Sequence, residues 1–346
     1  MGAYSKYIDS YEEFKIKLDA NEIFMNIQDD KMIMKIKSSL TGIELYRYPT
    51  NEMGKIKELY GKYAGVDSNN IIVGNGSDEI IELIIGKIIN PKSKILTLSP
   101  DFMMYEFFGE KFKGELIKYN ISNTMSFNVN EFIKLGKENN IDMIIFSNPN
   151  NPTGINISPK DIIKILQNFS NTTVVVDEAY YEFNGDSMIP YIKDYSNLFI
   201  TRTLSKAWGL AALRIGFLIS RKENIENLLK YKVPYTISSY SQKVAEIVLK
   251  YPEYVVENTK IIVREREFFY EKLKEIEKNA AMKIEFFKSK GNFIFGRTPH
   301  KEALIKGLER HKIYIRYFND DSFRITVGSS RENRKVIEAI NEIFIY

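Results

Sequence analysis

Thr201-Arg-Thr-Leu-Ser-Lys-Ala-Trp-Gly-Leu-Ala-Ala-Leu-Arg-Ile-Gly216 begins at the end of a strand-like apolar run, Leu198-Phe-Ile-Thr201, and gathers Thr203, Ser205 and Lys206 there, with Arg214 further on. Small and aromatic residues surround Lys206, a setting unlike a solvated helix face. An amine so placed can shed its proton and attack an aldehyde, which is Schiff-base chemistry. Taken alone, the stretch is equally readable as a turn that happens to end in lysine.

Two other apolar runs end the same way. Met143-Ile-Ile-Phe146 runs into Ser-Asn-Pro-Asn-Asn-Pro-Thr-Gly154, and Thr173-Val-Val-Val176 runs into Asp-Glu-Ala-Tyr180. Further strand-like runs stand at residues 71–73, 94–98 and 215–219, separated by helical patterns, as at 55–63 and 80–89. Short β-rich runs alternating with helices predict a mostly parallel, buried sheet with helices on both faces, an α/β domain. In such sheets ligands gather beyond the carboxyl ends of the strands, so the three polar tails are expected to converge on one crevice. Gly74-Asn-Gly-Ser-Asp-Glu79 adds a strand-to-helix junction whose first amides, at Ser77 and Asp78, can hold a phosphate. The same turn also reads as a plain helix start capped by Ser77.

Outside this region, residues 1–30 lack a sustained helical period and read as an N-terminal arm packing with a smaller domain. Residues 31–240 form the large domain, and 241–346 the small α+β domain, entered by a long helix interrupted near Pro252. A chain of 346 residues with 44% hydrophobic content suits a large domain plus a small one. Its 49 basic and 45 acidic residues leave a net charge of +4, spread along the chain, which gives no reason to expect nucleic acid or a membrane as partner. There is no cysteine, which excludes disulfides, thiolate catalysis and cysteine metal sites. His300 and His311 both sit in surface-like sequence, so neither histidine catalysis nor a bound metal is expected. The first residues lack an apolar core of signal-peptide length, and a cytoplasmic location is the expectation. Chemistry must rest on lysine, carboxylates, tyrosine, arginine or a borrowed cofactor.

Asn150-Asn-Pro-Thr-Gly154, Asp177-Glu-Ala-Tyr180, Thr203-Leu-Ser-Lys206 and Arg214 occur in the order and approximate spacing seen in fold-type I aminotransferases, which use pyridoxal 5'-phosphate (PLP). Lys17-Leu-Asp-Ala-Asn-Glu22, Arg47-Tyr-Pro49, Gly76-Ser-Asp-Glu79 and Phe323-Arg-Ile-Thr-Val-Gly328 extend the match over nearly the whole chain. The chain resembles, in particular, the histidinol-phosphate aminotransferase family. The resemblance implies the PLP-dependent transferase fold type I, a homodimer, and a ping-pong exchange between L-histidinol phosphate with 2-oxoglutarate and imidazole-acetol phosphate with L-glutamate. Threonine-phosphate decarboxylase and aromatic aminotransferases share the same lysine, aspartate and phosphate-holding groups and stand as alternatives. A non-catalytic PLP-binding protein is a third reading, which the presence of both Lys206 and Asp177 disfavours.

The resemblance also implies roles. Lys206 would bond the cofactor and move the substrate proton, Asp177 would pair with the pyridine nitrogen, and Tyr180 and Asn151 would hydrogen-bond the phenolic oxygen. Ser77, Asp78, Thr203, Ser205 and Arg214 would hold the phosphate, Arg214 from an apolar setting that makes an anionic partner necessary. Phe102 would stack on the ring, and Tyr48 would reach the phosphate in a neighbouring subunit. Arg324 would bind the carboxylate of glutamate or 2-oxoglutarate and Arg316 the phosphate of a phosphorylated amino alcohol, with Asn21 and Tyr4 as further substrate contacts. Two departures affect the loops around the substrate: the segment between Arg316 and Arg324 is short, and Asn21-Glu22 continues as Ile-Phe-Met rather than asparagine-proline.

Overall fold

The structure, a computed structural model, describes residues 13–27, 29–49, 53–121 and 125–345. Two compact units are present, one made of Met25–Thr259 and the other of Met1–Phe24 with Lys260–Tyr346. In chain order, β1 (Ile16–Leu18) is followed by α1 (Asp30–Leu40), α2 (Met53–Ala64), β2 (Ile71–Asn75), α3 (Gly76–Ile88), β3 (Lys94–Ser99) and α4 (Met104–Lys111). Then come β4 (Glu115–Asn120), α5 (Val129–Asn139), β5 (Met143–Ser147), α6 (Pro159–Asn168), β6 (Thr173–Asp177), β7 (Leu198–Thr203) and β8 (Ile215–Ile219). The helices α7 (Lys222–Leu229), α8 (Ser239–Val248) and α9 (Pro252–Asn279) lead to β9 (Glu285–Phe287), β10 (Phe293–Arg297), α10 (Lys301–Arg310), β11 (Ile313–Tyr317), β12 (Ser322–Thr326) and α11 (Ser330–Ile345).

The larger unit is built on a seven-stranded sheet in the order β2-β8-β7-β6-β5-β3-β4. All neighbours pair in parallel except β8, which is antiparallel to both β2 and β7. The reason for a sheet covered on both sides lies in the strands themselves. In β6 the branched run Val174-Val-Val176 is buried along its whole length, as is every residue of β5, β7 and β8. Branched side chains fit a pleated surface covered on both faces, and a continuous apolar run is what such a strand requires.

One helix shows how the covering is done. On α3, Ile80, Ile81, Ile84 and Ile85 fall on one face at helical spacing and are fully buried in a core that includes Ile95 of β3, Ile145 of β5, Val175 of β6 and Leu218 of β8. Each such isoleucine contributes about 1.5–3 kcal/mol by leaving water.

Three elements escape a reading based on apolar runs. The edge strand β4 buries none of its six residues, because an edge carries no continuous apolar run. The helices α5 and α6 are announced instead by their ends. Asn128 caps α5, accepting the Asn130 and Glu131 amides, and Asn140 closes it in the left-handed conformation at φ 51°. Ser158 accepts the Asp161 amide at the start of α6, with Pro159 in its first turn. Both are ordinary start and stop signals.

The smaller unit carries a mixed sheet, β1-β11-β12-β10-β9, in which β1 pairs in parallel with β11 and the remaining pairs are antiparallel. The helices α10 and α11 pack on each other there. The chain divides at Thr259 within α9, not at residue 241, and α8 packs on α1 and α2 in the larger unit. The N-terminal segment of the smaller unit ends at Phe24 rather than at residue 30. Among the described residues, no helix is long and apolar enough to cross a membrane.

Candidate functional site

Strand register decides where the polar tails end up. Ser147, the last residue of β5, lies opposite Asp177, the last of β6, and Asp177 lies opposite Thr201 of β7. The tails leave the sheet at one level, so the loops carrying Asn151, Tyr180 and Lys206 start side by side. Asn148 reinforces this, its amide donating to the Asp177 carbonyl at 2.8 Å.

Asp177 is 3% exposed. Its Oδ2 accepts the Tyr105 hydroxyl at 2.7 Å and its Oδ1 the Ala179 amide at 3.2 Å. Burial is the dominant influence on its pKa and raises it to about 6, with these two hydrogen bonds opposing. A carboxylate held dry in this way favours a cationic partner. Lys206 stands at the end of β7, its Nζ 5.9 Å from the centre of the buried Tyr180 ring. Asn151 is buried on the neighbouring loop, its amide donating to Ser147 Oγ at 2.9 Å.

The phosphate-side residues come together at the start of α3. Gly76 sits at φ +79°, where a Cβ would lie 2.6 Å from Arg214 Nη2. At Gly216 of β8 a Cβ would lie 2.3 Å from the Ser77 amide nitrogen, so only glycine lets strand and helix start approach so closely. The capping residue is Asn75, not Ser77, and its side chain makes no capping bond. Glu79 instead reaches back to accept the Asn75 amide, and the amides at the helix start are left without a side-chain cap from Asn75.

Thr203 Oγ1 accepts the Ser205 amide at 3.0 Å, and Arg214 donates from Nη1 to Ser205 Oγ at 3.4 Å and from Nη2 to Asp78 Oδ2 at 3.0 Å. Arg214 is not in the apolar setting that its neighbours in the chain suggest. Its side chain is 47% exposed and its backbone is left-handed, φ 51°, which turns the guanidinium toward Ser205 and Asp78.

Phe102 is half-buried just ahead of α4, its ring edge-on to Tyr105 at 5.6 Å. Tyr48, in contrast, is 79% exposed and stacks on Tyr235 at 5.2 Å. The remaining candidates belong to the smaller unit. Arg316 of β11 lies directly across the ladder from Arg324 of β12. Arg324 is buried, donates to the Asp19 carbonyl and holds its guanidinium 5.5 Å from the Phe293 ring. Asn21, also buried, donates its amide to Thr326 Oγ1 at 3.0 Å and accepts Asn292 Nδ2 at 3.0 Å on its carbonyl. Tyr4 lies outside the described residues.

Several supporting residues belong to none of the sequence motifs or carry no role in them. Tyr105, which holds Asp177, stands on α4 with nothing local to mark it. Arg202 and Glu178, both almost wholly buried, form an ion pair of 2.8 Å, with Arg202 also donating to Ser187 Oγ at 2.7 Å and lying 3.6 Å over the Tyr181 ring. Glu178 follows Asp177 and Arg202 precedes Thr203, so the pair locks together the two strand ends that bear the chemistry. The one signal in the sequence is the charge of Arg202 within a strand otherwise apolar up to Thr201.

The donor set fits PLP, the cofactor the motifs imply. A helix start, two hydroxyls and a guanidinium suit a phosphate. A dry carboxylate suits the pyridine nitrogen, and glycines at positions 76 and 216 let the Arg214 guanidinium and the Ser77 amide come in close.

Comparison with known proteins gives the family and the fold. The family model described as aminotransferase class I and II matches residues 14–340. A histidinol-phosphate aminotransferase of Clostridium novyi is 41% identical over 333 residues, covering 95% of this chain and 92% of that protein. Among solved structures, the histidinol-phosphate aminotransferase of Clostridium acetobutylicum superposes with a TM-score of 0.84 at 26% identity, covering 95% of this chain and 98% of that one. The Sinorhizobium meliloti enzyme of the same name, in complex with pyridoxal-5'-phosphate, shares the fold with a TM-score of 0.86 at 19% identity, covering 96% and 93%.

Proposed function

Since the chain belongs to the class I and II aminotransferases, which are PLP-dependent enzymes, we propose that it exchanges the amino group between L-histidinol phosphate and 2-oxoglutarate, giving imidazole-acetol phosphate and L-glutamate. The observation that carries the substrate reading is the likeness, over 95% of this chain, to the histidinol-phosphate aminotransferase of Clostridium novyi. In this reading Arg316 and Arg324, which face each other across the ladder, meet the two anionic groups. Arg324 takes the carboxylate of glutamate or 2-oxoglutarate, and Arg316 the phosphate of the amino alcohol. Asn21 and Tyr4 are assigned to the same substrate.

Bound PLP supplies a carbon that receives the amino group and a ring that accepts the electron pair left when the α-proton departs. The protein does the rest. Lys206 Nζ would take the proton from the substrate α-carbon and deliver it to the cofactor carbon that receives the amino group, Asp177 would keep the ring nitrogen protonated, and Tyr180 and Asn151 would donate to the phenolic oxygen. Ser77, Asp78, Thr203, Ser205 and Arg214 would hold the phosphate, and Phe102 would lie against the ring.

An amino-donor panel read by the visible absorbance of the holoenzyme tests the substrate. Histidinol phosphate should react at least roughly tenfold more efficiently than phenylalanine, tyrosine or threonine phosphate, a margin of about 1.4 kcal/mol. In Arg316→Ala, KM for histidinol phosphate should rise by about 10²-fold, as for a lost charged hydrogen bond of about 3 kcal/mol, with a far smaller change for glutamate. Equal losses for both donors would remove Arg316 from this role.

A homodimer is part of the same reading. Leu45, Tyr46 and Tyr48 are exposed, as are Tyr231, Val233 and Tyr235, and the Tyr48–Tyr235 contact joins the two segments into one apolar surface of the kind that proteins cover with a partner. Tyr48 then reaches the phosphate of the second subunit. Sedimentation at micromolar concentration should find a dimer, and a fully active monomer would contradict the assignment. The reading also takes the enzyme to be cytoplasmic.

A further inference from the structure

Asp101 has no part in the chemistry above, yet two loops of the site meet on its carboxylate. Its Oδ1 accepts the Phe102 amide at 2.8 Å and the Ser147 hydroxyl, while its Oδ2 accepts the Ser147 amide at 3.3 Å. Ser147 Oγ in turn accepts the Asn151 amide at 2.9 Å and lies 3.5 Å from Asn150 Nδ2. Asn150 makes one direct tie between the loops, donating to the Pro100 carbonyl at 3.3 Å, and uses its Oδ1 within its own turn to accept the Thr153 amide and hydroxyl. The chain Phe102–Asp101–Ser147–Asn151 is therefore a continuous polar connection between the segment after β3 and the turn after β5.

Resting on the PLP reading, we propose that Asp101 is a positioning residue: by holding the Phe102 amide and Ser147 together, it sets the stacking ring of Phe102 and the Asn151 donor relative to each other across the cofactor site. The ring nitrogen does not require a second acid, since Asp177 already serves it. Asp177 and Tyr105 are the ionisable groups near Asp101. Burial, with a smaller contribution from the charge of Asp177, pushes the Asp101 carboxyl well above the usual carboxylate range. Asp101 therefore holds its proton more tightly than an exposed acid, and asparagine is close to its neutral form in shape, keeping the Oδ1 acceptor for the Phe102 amide and the Ser147 hydroxyl and giving up only the longer Ser147 amide contact at Oδ2.

That near-identity gives the test its arms. Asp101→Ala, Asp101→Asn and Ser147→Ala are titrated with PLP as cofactor-free proteins, and the pH midpoint of the visible band is measured on each loaded protein. Asn151 donating to the phenolic oxygen lowers that midpoint, so displacing Asn151 raises it. Asp101→Ala and Ser147→Ala, which cut the chain at successive links, should each raise the midpoint by about one pH unit and weaken PLP binding about tenfold. Asp101→Asn should stay within about threefold in affinity and keep the midpoint, because it retains the Oδ1 acceptor.

An unchanged midpoint in Ser147→Ala overturns the proposal whether or not Asp101→Ala folds. So does a midpoint in Asp101→Asn shifted as far as in the alanine variants, which would make the charge and not the clamp the agent. Failure of the unsubstituted protein to take up PLP would strike the functional reading instead.

Discussion

Turnover of the Lys206→Ala protein is expected to fall by about 10⁴-fold, the upper end for removal of a positioned proton-transfer group. Lys206→Arg should fall just as far, since it keeps the positive charge but supplies no amine that can bond a carbonyl. The visible band of the bound cofactor should move in both variants. PLP itself should still bind, because Ser205 and Arg214 are tied to each other and to Asp78 at the start of α3, independently of Lys206. Single-turnover measurements with glutamate check the rate, and absorbance after gel filtration checks retention. An arginine variant with residual turnover near that of the parent would take Lys206 out of the chemistry.

The second large effect runs in opposite directions for stability and for activity. Asp177 has an ordinary carboxyl pKa near 3.8 when unfolded and about 6 in the folded, cofactor-free protein. Between these values the folded state holds the proton more tightly, so stability is lost as pH rises from about 4 to about 6 and stays lost above. A shift of roughly two units corresponds to about 3 kcal/mol. Asp177→Asn removes that penalty while keeping an acceptor for the Tyr105 hydroxyl. The cofactor-free variant should therefore be more stable than the parent by up to about 3 kcal/mol at about pH 8, with the difference closing below about pH 4. Its PLP-supported turnover should fall by about 10²–10³-fold, as expected for loss of a preorganised charge at the reacting group. Denaturant titrations at the two ends of that pH range read the first effect. A variant less stable than the parent at the alkaline end would show that Asp177 is not held at a cost.

Much of the fold and of the site is legible in the amino-acid sequence. Val174-Val-Val176 reads as a buried strand because no polar residue interrupts it, and Asp177 is conspicuous as the acid that ends it. By contrast, β4 is not legible, because an edge strand with mixed polarity carries no comparable run. Arg214 is misleading in sequence because its neighbours Ala211-Ala-Leu213 and Ile215 suggest burial, while the left-handed backbone at Arg214 points the side chain outward to Asp78. Ser77 has the composition of a cap but does not act as one, because the helix begins at Gly76 and leaves Asn75 in the capping position. A boundary at residue 241 does not hold because α8 continues the helical pattern of α9 while packing with α1 and α2.

By itself the sequence determined which residue types end which apolar runs: hydroxyls, lysine and arginine in Thr201–Gly216, Asp177 after Val174-Val-Val176 and Asn151 after Met143-Ile-Ile-Phe146. These are local properties, carried by composition and spacing. Tertiary structure alone decided which ends meet. The register that sets Ser147, Asp177 and Thr201 side by side, the close approach of strand to the Ser77 amide that only Gly216 permits, the clamp of Asp101 on Ser147, and the pairing of Arg316 with Arg324 each join residues distant in the chain. Side-chain pattern determines which face of a strand is buried, but the partner opposite each residue is set by pairing across the whole sheet.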